Sequence, residues 1–207
     1  MSDYNLVYLL DNKIYINLTN SCTNDCVFCI RSIKDDVVGT NLFLNTENVK
    51  AEDVISQLEK FKDKMSDEVV FCGYGEPMLK LDILKTVAKY IKENFPEIKI
   101  RVNTNGHANL IYKRNVLPEL KGVVDKFSVS LNGENEEVYN SVSKPHIENA
   151  YNGVKDFIKE AVKQGFDTTA TIVTGYKDYT INMPKCIEIT KELGAKFRER
   201  PWIENGY

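Results

Sequence analysis

Two periodicities alternate along this chain, and that alternation restricts the fold more than any other feature. Short runs rich in β-branched and aromatic residues read as strands: Lys13–Leu18, Glu68–Cys72, Lys99–Asn103, Lys126–Leu131, Thr168–Val173 and Lys196–Arg200. Between them lie apolar stripes at helical spacing. Val54, Ile55, Leu58, Phe61 and Met65 make one, and Ile83, Leu84, Val87, Ile91 and Phe95 another. A third joins Ala150, Tyr151, Val154, Ile158, Ala161 and Val162 and ends at Gly165; a fourth starts near Pro184 and stops at Gly194. Repeated strand–helix–strand units need right-handed crossovers and a parallel sheet, so about six such units curl toward a partial barrel or form a doubly wound sheet. A hairpin from Leu6–Leu10, turning at Asp11 and Asn12 into the first strand, caps one end. No Pro/Gly/Ser-rich linker interrupts the pattern, so residues 1–207 read as one domain.

Composition bounds the function without settling the partners. A net charge of −3 gives no general attraction to nucleic acid, and Tyr112-Lys113-Arg114 is a short solvated patch. No apolar run is long enough to span a membrane, and none opens the chain behind positive charge, so the expected location is cytoplasmic. Five cysteines crowded toward one end do not form a disulfide framework. Cys72 lies in an apolar strand and Cys186 on the stripe with Ile189 and Leu193, so both read as buried structural thiols.

The unusual segments all follow strands. SCTNDCVFCIRS (21–32) follows the first strand of the alternation, GYGEP (73–77) the second, NTNG (103–106) the third, SLNG (130–133) the fourth, TGY (174–176) the fifth and RPW (200–202) the sixth. In parallel β/α folds ligands bind at that carboxyl edge. In the first segment Cys22, Cys26 and Cys29 have Cys-x3-Cys-x2-Cys spacing, which lets one loop wrap three thiolates around a metal centre. Four-coordinate iron or zinc wants four ligands, and three adjacent ones leave a position for chemistry.

This spacing, with Phe28 just before the last cysteine, resembles the motif of the radical S-adenosylmethionine (SAM) superfamily. That resemblance implies a partial (β/α)6 barrel, one 4Fe-4S cluster on the three cysteines, and SAM chelated at the fourth iron. It further implies reductive cleavage of SAM to a 5′-deoxyadenosyl radical that abstracts hydrogen, fed by a reductant such as flavodoxin or ferredoxin. GYGEP resembles the family's Gly-Gly-Glu-Pro motif, with Tyr74 between Gly73 and Gly75, followed by Glu76 and Pro77. By resemblance Glu76 orients the cofactor's ammonium group. Asn105, Ser130 and Asn132 match the polar positions used for ribose and carboxylate, with Arg101 a weaker candidate for the carboxylate. Val173 matches the segment that packs adenine. LTNSCTNDCVFCIRS, VVFCGYGEP, RVNTNGHANLI, FSVSLNG and the closing ENGY are similar to the TatD family-associated radical SAM proteins, which implies association with a TatD-type hydrolase.

Other readings stay open at this stage. Cys26-Val27-Phe28-Cys29 is formally a thiol oxidoreductase C-x-x-C, although that motif makes no use of Cys22 or GYGEP. A zinc- or cluster-stapled binding module would need His107 or His146 as a fourth ligand, and neither has ligand spacing from the cysteines. Gly73-x-Gly75 lacks the third glycine and the acidic partner of a dinucleotide site. Arg31 beside the cysteines, and Arg198, Arg200 and Trp202 at the last strand, mark candidate contacts to an anionic substrate, since arginine binds carboxylate and phosphate bidentately. Six units leave one side of a barrel open, which suits a large substrate such as a peptide, protein or nucleic acid.

Overall fold

The computed structural model describes residues 5–37 and 39–203; the closing ENGY segment lies outside them. Strand β1 (Val7–Leu10) turns into β2 (Lys13–Ile16), with Asp11 and Asn12 both at positive φ in the turn. After the cysteine loop come a small hairpin, β3 (Asp36–Val37) and β4 (Thr40–Asn41), and helix α1 (Ala51–Glu59). Then follow β5 (Glu68–Phe71), α2 (Leu81–Asn94), β6 (Lys99–Thr104), α3 (Ala108–Ile111) and β7 (Lys126–Ser130). The chain continues through α4 (Glu136–Ser143), α5 (Ala150–Lys163), β8 (Asp167–Thr174), α6 (Met183–Glu192) and β9 (Lys196–Pro201).

Seven strands form one sheet in the order β1-β2-β5-β6-β7-β8-β9, in which only the β1–β2 pairing is antiparallel. Six parallel strands in sequential order match the expected units, and the choice between barrel and doubly wound sheet is made by the two faces. One face carries Ile14, Ile16, Val69, Phe71, Ile100, Val102, Phe127, Val129, Ala170 and Ile172, each at most 1% exposed. It packs against Val54 and Leu58 of α1, Leu84, Val87 and Ile91 of α2, and Val154, Phe157 and Ile158 of α5. A doubly wound sheet would need a second apolar face for a second helical layer. Instead the alternate residues include Glu68, Arg101, Asn103, Ser128, Thr169, Arg198 and Arg200, so the other face lines a polar lumen. The sheet curls around it far enough that Lys13 of β2 and Lys196 of β9, near opposite edges, line the same cavity. The architecture is a partial (β/α)6 barrel, open between β1 and β9.

Several elements differ from the sequence reading. The first apolar stripe runs past its helix: α1 ends at Glu59, and a single 3-10 turn at Lys62–Lys64 carries the chain onward. The β3–β4 hairpin and α4 are not visible as periodic segments. Helix α4 (EEVYNSVS) is short and polar; Asn135 caps it by accepting from the Val138 N–H, and Lys144 ends it in the left-handed region at φ 43°. Gly165 and Gly194, at φ 88° and 75°, stop α5 and α6 as expected.

Phe127, Phe157 and Phe166 join β7 to α5 through edge-on contacts at centroid distances of 5.4 and 5.0 Å. Phe157 is fully buried, so Phe157→Ala should cost about 3–5 kcal/mol of stability, read as a lowered urea midpoint with unchanged slope.

Candidate active site

The cysteine loop leaves β2 at the carboxyl edge of the sheet and is held there from several directions. The Asp25 N–H donates to the Ser143 carbonyl (3.1 Å) and the Val27 N–H to that of Val142 (2.9 Å). The His146 N–H donates to the Thr23 carbonyl (2.8 Å), and Asn24 forms an isolated bridge with Pro145. The carboxyl end of α4 is therefore the loop's scaffold. On the other side Glu47 accepts from the Thr19 hydroxyl (2.5 Å) and the Asn20 N–H (2.9 Å). Arg31 donates to the Asn20 carbonyl (2.7 Å) and pairs with Asp25 (3.7 Å), so its guanidinium is engaged within the loop.

Within this frame Cys22, Cys26 and Cys29 are all free thiols and partly exposed. Burial pushes Cys22 up to about 11, with further upward pressure from the Glu76 charge. Burial and the charges of Cys29 and Cys22 push Cys26 up to about 12. Thiolate binding to a metal must therefore displace protons. Among the described residues no group of His, Cys, Asp or Glu is placed to hold a lone metal ion, His107 and His146 included. Three cysteine donors from one loop suit a 4Fe-4S cluster, which proteins hold through cysteine thiolates.

Glu76 closes the site from β5. It is 3% exposed and its carboxylate accepts from the Met78 N–H (2.9 Å), the Thr104 hydroxyl (2.8 Å) and the Asn105 N–H (2.7 Å). Its own N–H donates to the Ser21 carbonyl (2.8 Å), tying GYGEP to the cysteine loop. Burial outweighs the three donors and lifts its pKa to about 7. Gly75 lies so close to the loop that an added Cβ would sit 2.3 Å from the Thr19 carbonyl oxygen and 2.5 Å from that of Ser21. An added Cβ at Gly73 would meet the Asn17 side chain. Pro77 is buried in the first turn of a 3-10 segment that Glu76 caps. Tyr74 turns the other way: its ring packs edge-on to Phe43 (4.9 Å) and its hydroxyl donates to the Lys34 carbonyl (2.7 Å). The residue between the two glycines thus anchors the segments flanking the β3–β4 hairpin.

The other strand ends converge on the same loop. The Asn105 amide donates to the Thr23 hydroxyl (2.8 Å) and approaches the Cys22 sulfur (3.7 Å). Asn132, 2% exposed and at φ 54°, donates to the Ser143 hydroxyl (3.3 Å), and Ser143 in turn hydrogen-bonds the Cys26 sulfur. The Asn132 carbonyl oxygen has no partner among the described residues, an orphaned acceptor beside the cysteines that a bound ligand would satisfy. Ser130 is half-buried at the end of β7, and Val173 is 9% exposed opposite Arg200. Phe28 meets Tyr176 edge-on at 6.1 Å, and Tyr176 meets Trp202 at 5.0 Å, bridging the mouth from the cysteine loop to the loops after β8 and β9.

Arg101 does not reach this edge. It bonds Glu68 (3.1 Å) and Asn103 (3.0 Å) deeper in the lumen, because its place in β6 is four residues before Asn105. Cys72 lies on the lumen side, hydrogen-bonded with Asn103 and near Arg200 and Arg101; the residue keeps some exposed surface, but its thiol is enclosed and burial raises its pKa, while Cys186 is fully buried as read. His107 was legible only as a lone histidine, yet it is fully buried, with Nδ1 2.9 Å from the Thr23 hydroxyl and Nε2 2.8 Å from that of Tyr139. Burial lowers its pKa to about 4, so it is a neutral bridge behind the cysteine loop.

The radical SAM superfamily profile matches residues 16–187, and the chain belongs to that superfamily. The cofactors of that superfamily are a 4Fe-4S cluster and SAM. It is 24% identical over 185 residues to a probable GTP 3′,8-cyclase of Methanocaldococcus jannaschii, covering 88% of this chain and 56% of that protein. It is 26% identical over 221 residues to the dual-specificity RNA methyltransferase RlmN of Buchnera aphidicola, covering 95% of this chain and 56% of that protein. The chain thus spans little more than half the length of these curated relatives. Among solved structures, Streptococcus suis SuiB bound to its precursor peptide SuiA superposes with a TM-score of 0.69 at 16% identity, covering 96% of this chain and 41% of that one. That likeness is one of fold. No helix among the described residues is long and apolar enough to cross a membrane.

Two outcomes follow from the Glu76 junction. Gly75→Ala should drive the cysteine loop out of place and abolish iron incorporation on anaerobic reconstitution, measured as iron content and visible absorption. For Glu76, the folded state holds the proton more tightly than the unfolded chain, whose ordinary value is 4.5. Its contribution is therefore full below about 4.5 and is lost as pH rises through about 7. In urea titrations of cluster-free protein, the stability advantage of wild type over Glu76→Gln should shrink by on the order of 2–3 kcal/mol between about pH 5 and pH 8.

Proposed function

We propose that this chain holds one 4Fe-4S cluster on Cys22, Cys26 and Cys29, takes SAM at the iron they leave unligated, and uses it to abstract hydrogen from an anionic substrate in the barrel lumen. When bound, these cofactors supply reductive cleavage of the sulfonium to a 5′-deoxyadenosyl radical. The observation that carries the reading is the convergence of three thiols from one loop with a buried carboxylate and an orphaned amide oxygen from neighbouring strand ends.

Each residue has a task under this reading. Glu76 spends three of its roughly four lone-pair positions on Met78, Thr104 and Asn105, which leaves an acceptor for the cofactor's ammonium group. Asn105, Ser130 and Asn132 serve its ribose and carboxylate. Phe28 and Val173 flank the adenine, and Gly73, Gly75 and Pro77 bring the backbone close. Arg198 and Arg200 project toward the lumen with Trp202 at its mouth, which supports a substrate bearing carboxylate or phosphate groups. An opening between β1 and β9 suits a peptide, protein or nucleic acid. Arg31, engaged within the cysteine loop, reaches such a substrate only at the mouth.

A flavodoxin or ferredoxin is the proposed electron donor, and the five free cysteines among the described residues suit a reducing cytoplasm. The sequence likeness to TatD-associated members supports a functional association with a TatD-type hydrolase.

Anaerobic reconstitution followed by dithionite and SAM, with chromatographic detection of 5′-deoxyadenosine, tests the central assignment. Wild type should form it and Cys22→Ala should not, with a matching loss of bound iron. A wild-type protein that forms none, beside a Cys22→Ala variant with full iron content, would remove the proposal.

A further inference from the structure

At the amino ends of the parallel strands, on the lumen side and opposite the cysteine loop, lies a cavity of about 270 Å³. Its rim is built from first residues of strands: Lys13 of β2, Glu68 of β5, Lys126 of β7, Asp167 of β8 and Lys196 of β9. Arg101 and Arg198 complete it one level further in. Five cations therefore face two carboxylates.

Those carboxylates are already committed. Glu68, 5% exposed, binds Lys126 at 3.0 Å, Arg101 at 3.1 Å and Lys13 at 3.4 Å. Asp167 takes Lys196 at 2.7 Å. One buried carboxylate gathering three cations preorganises them, and even with exposed Asp67 3.8 Å from Lys13 the cations outnumber the carboxylates. The Arg101 side chain is only 14% exposed, so its charge is poorly screened by water. Ser128, 6% exposed, and Thr169 add hydroxyl groups to the same wall.

We propose that this pocket is an oxyanion-binding site that anchors a phosphate or carboxylate group of the substrate. The proposal rests on the reading of the lumen as the substrate chamber. Asn105, just past the end of β6, is four residues beyond Arg101, about 13 Å at roughly 3.3 Å per residue. A ligand anchored at the floor would thus present atoms that far from its anion to the cysteine edge, which selects an elongated molecule with a terminal anionic group.

Isothermal titration calorimetry on the reconstituted protein without SAM, with tripolyphosphate in one arm and citrate in the other, tests it. The expected result is saturable one-site binding that weakens with added salt and falls about tenfold in Lys196→Gln/Arg198→Gln, which spares the Glu68 ion pairs. The stronger arm identifies phosphate or carboxylate as the preferred group. Lys113→Gln/Arg114→Gln, on the short basic patch outside the pocket, should bind like wild type. No saturable binding in either arm, or equal loss in both double variants, overturns the pocket. Because the readout is binding, a protein that forms 5′-deoxyadenosine yet binds neither anion sinks this inference alone. One that binds an anion through these residues but forms no 5′-deoxyadenosine sinks the proposed reaction and leaves the pocket standing.

Discussion

One buried carboxylate governs the arrangement of the sheet's carboxyl edge. Glu76 receives donors from its own turn and from the end of β6, while its backbone N–H holds the cysteine loop. Removing it would leave two backbone N–H groups and a hydroxyl unpaired in the interior, the costly side of hydrogen-bond energetics. The glycine that precedes it matters for the same reason: only a residue without Cβ lets two backbones approach this closely. The cysteine loop is thus positioned by polar complementarity instead of by regular secondary structure, and from the opposite side by the end of α4.

The second governing constraint is the asymmetry of the sheet. Its outer face buries a continuous apolar layer under helices, and its inner face is largely polar, with a concentration of arginine and lysine. An inner face of that kind cannot take another helical layer without burying unpaired charge, so the sheet curls around a lumen. Such a lumen has thiols at one end and a concentration of cations at the other. The thiols, Glu76 and Asn132 occupy the carboxyl end, and the cations clustered around Glu68 occupy the amino end.

Much of this was legible in the residues. All six strands of the alternation formed where β-branched runs predicted them, and the stripes at Ile83–Phe95 and Ala150–Val162 became α2 and α5. These signals were strong because each element buries a continuous face. The α4 helix, with few apolar residues, was not legible, although its end is the scaffold of the cysteine loop. The roles of His107 and Tyr139 were equally hidden, because the histidine's two partners, Thr23 and Tyr139, lie 84 and 32 residues away from it. Tyr74 read as a departure inside a cofactor motif, and its side chain turns out to serve the neighbouring hairpin segments. Arg101 read as a weaker candidate for the cofactor's carboxylate, and strand register sets it lower, against Glu68.

The sequence by itself determined the element order, the parallel β/α class, and the donor set of three cysteines at one strand end, since periodicity and ligand spacing are local properties written within a few residues. The motif resemblance added the partial barrel and Asn132's place at its edge; tertiary structure alone decided that the inner face pools cations from strands far apart in the chain, and that Ser143 and His107 stand behind the cysteines. Those facts depend on which side of each strand faces which neighbour after folding. Packing and charge pairing between distant segments settle that orientation.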